Sequence, residues 1–301
     1  MKAVAIDDVL KFRYLAQPTF SPEGKSAAFV LTEADRKANG YRSFLYLLRD
    51  GAVRQLTSFG KESSFRYLDE DTILFPGCRE EKAEGEIGSI FYTISLSGGE
   101  AKEAFRFPIP VSKILPLPDG NLIVLGKTFP GYERLYTGDA KLLAAFRKDR
   151  KENEDYEEIA QVPWWWNGIT YTKGAYESLF FYDVRKRKLR RLSEENEAVS
   201  AVNLSADGRT VYYVISPVGP LLHARDEDRL MRRELAGGQA ECLFASDEKA
   251  RLNGYSLGEH FILLLLADLR KNGRNSNGDF YKLDYAGGEI VFYAADRKSV
   301  V

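Results

Sequence analysis

Reactive side chains are scarce in this chain. Among its 301 residues are two cysteines, two histidines and two methionines. Cys78 and Cys242 are too few for a disulfide framework and lack the spacing of a metal site. Two buried or partly buried thiols in a reducing compartment are expected. His223 lies in a Leu-Leu-His-Ala stretch, where it is packed or partly exposed, and His260 precedes an apolar strand whose start it is expected to cap. Both read as structural. The chain contains no GxxxxGK[ST] phosphate loop, H-E-x-x-H or CxxC. No catalytic residue, metal site or cofactor is therefore assigned.

Charge of either sign is not in excess: 43 Lys and Arg against 44 Asp and Glu give a net charge of -1. That balance offers no electrostatic case for nucleic acid or an anionic membrane. Long apolar runs are missing as well. Leu263 to Ala267 is far too short to span a bilayer. The amino terminus meets Asp7 and Asp8 before any apolar run that could act as a signal core. The expected location is the cytoplasm. With 44% hydrophobic residues, the chain has ample material for a large core.

What the chain does have is a repeat. A tight Gly turn leads into an apolar strand, then come an aromatic strand, a second Gly turn and a short closing strand. The turns are Ser21-Pro22-Glu23-Gly24-Lys25, Leu68-Asp69-Glu70-Asp71, Pro118-Asp119-Gly120 and Ala206-Asp207-Gly208, and a fifth copy runs through Phe261 to Leu266. Closing turns recur at Gly51, Gly98-Gly99, Gly237-Gly238 and Gly287-Gly288. Successive units lie roughly 45–50 residues apart, with one gap near twice that, the period of β-propeller blades. Gly supplies the positive φ that tight turns need, and continuous apolar runs suit strands covered on both faces. The basic cluster Arg185 to Arg191 falls at one hairpin and reads as a solvated turn. The expected fold is all-β: a β-propeller of about five blade-like units, incomplete as a ring, with a short N-terminal helix and one helical insertion.

Asp7 or Asp8 is placed to cap that helix through about Leu15, and Gln17-Pro18 stops it. Residues 1–17 read as helix and lead-in, and 18–295 as the propeller. The wide gap holds the insertion, about 139–160, where Leu142, Leu143 and Phe146 form an apolar stripe before the alternating charges of Lys148 to Glu158. It reads as an excursion packed on the propeller rim, or as a lid for a partner domain. The chain returns through Val162-Pro163-Trp164-Trp165-Trp166-Asn167-Gly168, in which Asn-Gly signals a hairpin. On a strand, Trp164 and Trp166 share one face and Trp165 takes the other. Interblade packing accounts for such rings, and a stacking surface for substrate is the alternative. Glu157 and Glu158 end the charged segment. They read as a solvated helix end, or as carboxylates able to grip the free amino end of a peptide.

Four stretches together resemble a known family: Asp8-Val9-Leu10 leading to Phe20-Ser21-Pro22-Glu23-Gly24-Lys25, Arg54-Gln55-Leu56-Thr57, Val162 to Gly168, and Leu204-Ser205-Ala206-Asp207-Gly208-Arg209. The chain is similar to the amino-terminal propeller of prolyl oligopeptidase-family serine peptidases, in the acylaminoacyl-peptidase and dipeptidyl-aminopeptidase branch. The resemblance implies a propeller that screens short peptide substrates by size, followed by an α/β-hydrolase domain carrying Ser, Asp and His. No residue of that triad can be placed here, and the chain reads as a fragment truncated before the catalytic domain and inactive alone. Asp296-Arg297-Lys298-Ser299-Val300-Val301 matches one frame of a widely used sequencing-adapter oligonucleotide. The coding sequence proper is then expected to end near Ala295; an ordinary polar linker is the other reading. Two further functions stand beside the gating propeller: a stand-alone β-propeller that binds proteins without enzymatic activity, and an enzyme with its site on the propeller axis. The axial enzyme needs converging acids or histidines from several units, which the repeat does not supply.

Overall fold

Every expected unit is a four-stranded antiparallel sheet whose strands pair in chain order, with a helix and a small hairpin inserted within one of them. The computed structural model describes residues 5–77, 86–156, 159, 165–166, 170–171, 174–218 and 227–295. Cys78, Glu157, Glu158, Trp164, His223 and the segment 296–301 lie outside these. The chain divides into two compact units, Met1–Pro110 and Val111–Val301.

The first unit holds two sheets. One comprises β1 (Arg13–Phe20), β2 (Ser26–Asp35), β3 (Gly40–Arg49) and β4 (Ala52–Gln55); the other comprises β5 (Arg66–Tyr67), β6 (Thr72–Gly77), β7 (Ser89–Ser95) and β8 (Lys102–Phe107). Ala28, Val30, Leu45 and Leu47 of the first sheet pack on Ile73, Phe75, Ile90 and Tyr92 of the second.

The second unit holds three sheets. In the third sheet, β9 (Val111–Pro116) and β10 (Leu122–Thr128) are followed by helix α1 (Ala140–Glu152) and a small hairpin of β11 (Trp165–Trp166) and β12 (Thr170–Tyr171). The sheet then resumes with β13 (Tyr176–Asp183) and β14 (Lys188–Arg191). The fourth has β15 (Glu197–Leu204), β16 (Thr210–Pro217), β17 (Arg229–Glu234) and β18 (Glu241–Ala245). The fifth has β19 (Ala250–Leu257), β20 (Ile262–Asp268), β21 (Gly278–Leu283) and β22 (Ile290–Ala294), with a short helix, α2 (Leu269–Asn272), between β20 and β21. Ile123 and Leu179 of the third sheet meet Val211, Tyr213 and Ile215 of the fourth. On the other face of the fourth, Tyr212 and Val214 meet Ile262, Leu264 and Leu266 of the fifth. The fold is all-β, of β-propeller type, and the sheets are its blades.

The repeated turn has a visible cause. In Ser21–Ser26 the N–H of Ser21 donates to the Ser26 carbonyl at 2.9 Å, that of Gly24 donates to the Ser21 carbonyl at 2.9 Å, and Ser26 N–H donates to Ser21 Oγ at 3.2 Å. Ser205–Thr210 repeats all three bonds, at 2.9, 2.9 and 2.9 Å. The serine hydroxyl thus satisfies a backbone donor that the tight turn leaves over. Gly24 and Gly208 sit at φ 72 and 67, a region that costs other residues roughly 1–2 kcal/mol.

Three expectations need correction. The N-terminal helix does not reach Leu15: it is a 3-10 turn over Ile6–Lys11, entered at Ala5, with the Asp8 carboxylate accepting the Ala5 N–H at 2.8 Å. Leu15 belongs to β1, so the first sheet opens at Arg13, ahead of Pro18. The ladder to β2 wins there because an edge strand tolerates Pro at a bulge; the register slips between Ala16 and Thr19, where Gln17 has φ 53. Cys242 is exposed, since β18 is the outer strand of its sheet. His260 does not cap β20; the turn is closed by the Gly258 N–H on the Phe261 carbonyl at 3.0 Å, and the imidazole is exposed.

The insertion is helical as expected. Asp139 caps α1 by accepting the Lys141 and Leu142 N–H groups at 2.8 and 3.0 Å. Phe146 is its anchor, buried against Phe129 and Tyr132 at ring distances of 4.9 and 5.1 Å.

The two turn glycines differ in surroundings, which generates a test. A Cβ on Gly24 would meet nothing within 4 Å, whereas one on Gly208 would lie 2.5 Å from Pro118 Cδ. Gly24→Ala should cost about 1 kcal/mol from backbone strain alone. Gly208→Ala should cost a further ~1–3 kcal/mol of overpacking, read as a lower urea midpoint.

Candidate functional site

In the third, fourth and fifth sheets the connection from second to third strand leaves from the same end: residues 129–175, 218–228 and 269–277. At that end of the third and fourth sheets a cleft of 510 Å³ opens, lined by Glu194, Glu195, Asn196, Glu197, Ile215, Pro217, Glu227 and Arg229. Four carboxylates against one guanidinium make it acidic.

The rim is held by its backbone. Arg191, last residue of β14, donates from Nη2 to the Glu194 carbonyl at 2.8 Å and to Ser178 Oγ at 3.0 Å. Ser178 Oγ in turn accepts from Thr128 Oγ1 at 2.8 Å. The Tyr176 hydroxyl donates to the Glu195 carbonyl, and Val218 N–H donates to the Asn196 carbonyl at 2.9 Å. Arg233 reaches the Leu192 carbonyl at 2.6 Å. These bonds leave the Glu194 and Glu195 side chains projecting from a fixed loop. Arg191 itself is only partly satisfied: Nε and Nη1 are buried without a hydrogen-bond partner among the described residues.

Two groups nearby are electrostatically perturbed. Burial raises the Glu177 carboxyl above its ordinary value, against the lowering effects of the Ser112 hydroxyl, which donates to Oε2 at 3.1 Å, and of Lys127. Burial pushes the Tyr213 hydroxyl up to about 12. Ser193 is buried and its Oγ accepts the Leu179 N–H at 3.1 Å. Among the described residues no cluster of His, Cys, Asp or Glu is arranged to hold a metal ion. The arrangement can bind a cationic group by charge-assisted hydrogen bonds, and it carries no acid–base pair aimed at a shared atom.

Of the residues singled out in the sequence, Trp166 lies on β11, paired with Thr170, while Trp165 pairs with Tyr171 and is exposed. β11 and β12 thus pair antiparallel, while Asn167 and Gly168 lie outside the described residues. Glu157, Glu158 and Trp164 lie outside the described residues. The cleft's own glutamates were missed. Glu194-Glu195-Asn196-Glu197 reads as a solvated linker, and its one signal is that it directly follows a closing strand.

No family model matches the chain. The uncharacterized peptidase YuxL of Bacillus subtilis (strain 168) is 24% identical over 216 residues, which is 70% of this chain and 31% of the relative. An acylaminoacyl peptidase from Pyrococcus horikoshii superposes over 94% of this chain and 40% of its own, at 18% identity and a TM-score of 0.61. These two likenesses are to peptidases. A second acylaminoacyl peptidase structure, in complex with Z-Gly-Gly-Phe-chloromethyl ketone, covers 97% of this chain and 47% of its own at 14% identity and a TM-score of 0.55. A protein assigned as TolB from Agrobacterium tumefaciens covers 93% and 80% at 14% identity and a TM-score of 0.50. The chain thus spans about a third of its curated peptidase relative and under half of either acylaminoacyl peptidase. No helix among the described residues is long and apolar enough to cross a membrane.

Glu177 provides a pH test. Its carboxyl is raised in the fold, so its contribution is fully present below the unfolded value of 4.5 and is lost as pH rises through the folded value. Glu177→Gln should therefore raise the urea midpoint at pH 7, and the gain should fade below pH 4.5. An equal gain at both pH values would mean that burial does not raise the Glu177 carboxyl.

Proposed function

We propose that this chain is the non-catalytic, substrate-gating propeller of a serine peptidase that acts on short peptides in the cytoplasm, with acylaminoacyl-peptidase or dipeptidyl-aminopeptidase activity. Its partner is an α/β-hydrolase domain of the same longer protein, where Ser, His and Asp perform the acyl transfer. One observation carries the reading. Nearly the whole chain, 94%, follows the fold of 40% of an acylaminoacyl peptidase, and the curated relative is also a peptidase.

The physical role follows from stacked blades. In this reading, loops at one end of the blades screen substrates by size, passing an extended short peptide and excluding a folded chain. The acidic cleft supports the peptide class, because carboxylates on a fixed loop favour a substrate that brings a positive amino group. Glu157, Glu158, Trp164 and Trp166, on the insertion that leaves from the same end, are further candidates for substrate contact. The likeness to the Agrobacterium protein favours a second reading, a stand-alone propeller that binds another protein.

Reading the source gene onward from the codon for Ala295 tests the proposal. The expected result is an open frame through further blades to a G-x-S-x-G, then Asp and His. A genomic stop after Val301 would overturn it in favour of the stand-alone module. In parallel, the purified chain should not hydrolyse acylated or free-amino peptide p-nitroanilides, and turnover by the chain itself would contradict a purely gating role.

A further inference from the structure

The turn between third and fourth strands is built on glycine in four of the five sheets. Asp50-Gly51, Gly98-Gly99, Gly237-Gly238 and Gly287-Gly288 all take positive φ there. In the third sheet the same turn, between β13 and β14, is Val184-Arg185-Lys186-Arg187, and Arg187 stands at φ 53. An arginine is strained at such a φ, where glycine is not. Lys188 and Arg190 of β14 continue the run. Arg185, Lys186, Arg187, Lys188 and Arg190 thus crowd one hairpin, all of them exposed. A turn that needs only solvation gains nothing from this, since glycine would relieve both the strain and the mutual repulsion.

The loop carrying these cations has a fixed path. The Asp183 carboxylate accepts the Lys186 N–H at 2.9 Å, and Asn121 Oδ1 of the turn alongside accepts the Val184 N–H at 3.1 Å. Lys186 Nζ lies 3.3 Å from Asp183, and the Arg190 guanidinium covers the Phe181 ring at 5.3 Å. Asp119, in the turn alongside, is engaged by the Asn121 N–H and Nδ2 at 2.9 and 2.8 Å. Arg185, Arg187 and Lys188 make no ion pair among the described residues.

β14 is also the outer strand of its sheet. Leu192 N–H donates to the Leu179 carbonyl at 2.7 Å, and the register pairs Arg190 with Phe181 and Lys188 with Asp183. Bonded pairs alternate along an antiparallel ladder, so Lys188 and Arg190 bond inward and the backbone groups of Leu189 and Arg191 point to the open side. The side chains of Lys188 and Arg190 share one face of that edge. A strand laid along β14 therefore meets main-chain donors and acceptors together with a row of positive charge. This turn leaves from the end of the third sheet opposite the acidic cleft.

We propose that β14 and its turn bind an acidic polypeptide segment, which adds to the third sheet as an antiparallel fifth strand with Asp or Glu at alternate positions. Main-chain bonds hold the segment, and the cations select it. The same cations deter a neutral or basic strand, which keeps the edge from pairing indiscriminately. A nucleic acid or an anionic lipid would use the charge and leave the backbone edge unused.

Fluorescence polarisation on the whole chain tests this, with a labelled decapeptide of alternating Glu and Thr as probe. The expected result is saturable binding that weakens at least about tenfold between ~0.05 and ~0.5 M salt. The same peptide N-methylated at its Thr residues keeps its charge but loses the donors that face β14, and should bind at least about tenfold more weakly. Arg187→Gly should raise the urea midpoint and weaken binding together, because it installs the residue that suits the turn. The triple variant Arg185→Ser, Arg187→Gly, Lys188→Ser should keep the wild-type far-UV spectrum and bind at least about tenfold more weakly. Lys249→Ser, in the turn before β19, should bind like wild type. Absence of saturable binding would overturn the proposal, as would equal binding of the N-methylated peptide or an unaffected triple variant. Tighter binding of a deoxythymidine decamer or of phosphatidylserine vesicles than of the peptide would overturn it as well.

Discussion

A four-stranded sheet with apolar residues on both faces is stable only when both faces are covered. That requirement governs the rest of this structure. The fourth sheet shows it most plainly: Val211, Tyr213 and Ile215 point one way into one cluster, and Tyr212 and Val214 point the other way into the next. Each large apolar side chain so buried contributes roughly 1.5–3 kcal/mol, and a lone sheet would forfeit most of that on one side. The repeat follows from this need. Strands must return at matching height and angle for faces to meet, and two of the turns between first and second strands, Ser21–Ser26 and Ser205–Thr210, share one geometry with its Ser hydroxyl and positive-φ Gly.

A second device joins neighbouring sheets through their backbones. The longer first strands, β1, β9, β15 and β19, each carry an extra residue relative to the strand they pair with. In β15 the irregularity holds Ala201 at φ 46, a conformation that costs roughly 1–2 kcal/mol. The carbonyls at this bulge are used from both sides: Lys113 Nζ of the third sheet donates to Val202 at 2.6 Å, and the Tyr255 hydroxyl of the fifth donates to Ala201. Tyr255 also reaches the Tyr212 carbonyl at 2.8 Å. The bulge thus turns ladder carbonyls into ties between blades, which offsets its strain.

Second and third strands were legible in the sequence because they combine a turn signal with dense apolar or aromatic runs, as in Val211 to Val214 or Phe261 to Leu266. First strands were not. Arg13–Phe20 is exposed along its length and contains Gln17-Pro18, which reads as a helix stop, while its pairing with β2 is a long-range property no local pattern displays. The pairing of Trp165–Trp166 with Thr170–Tyr171 and the helix capped by Asp139 were legible because their signals are local. The cleft was not, because four glutamates from two separate segments become neighbours only once β14, β15 and β17 are in register. The exposure of Cys242 escaped for the same reason, since only the sheet order makes β18 an edge.

Hydrogen exchange resolved by strand measures the covering requirement most directly. Stacked central strands should open only with their sheets, so amides of β6, β7, β10, β13, β16 and β20 should exchange slowest, while β1 and β22, exposed outer strands, should exchange orders of magnitude faster. That gradient from covered to exposed strands is the outcome the account predicts. Protection of β1 and β22 equal to that of β16, measured on dilute monomer, would show that a covered face is not what holds each sheet in place.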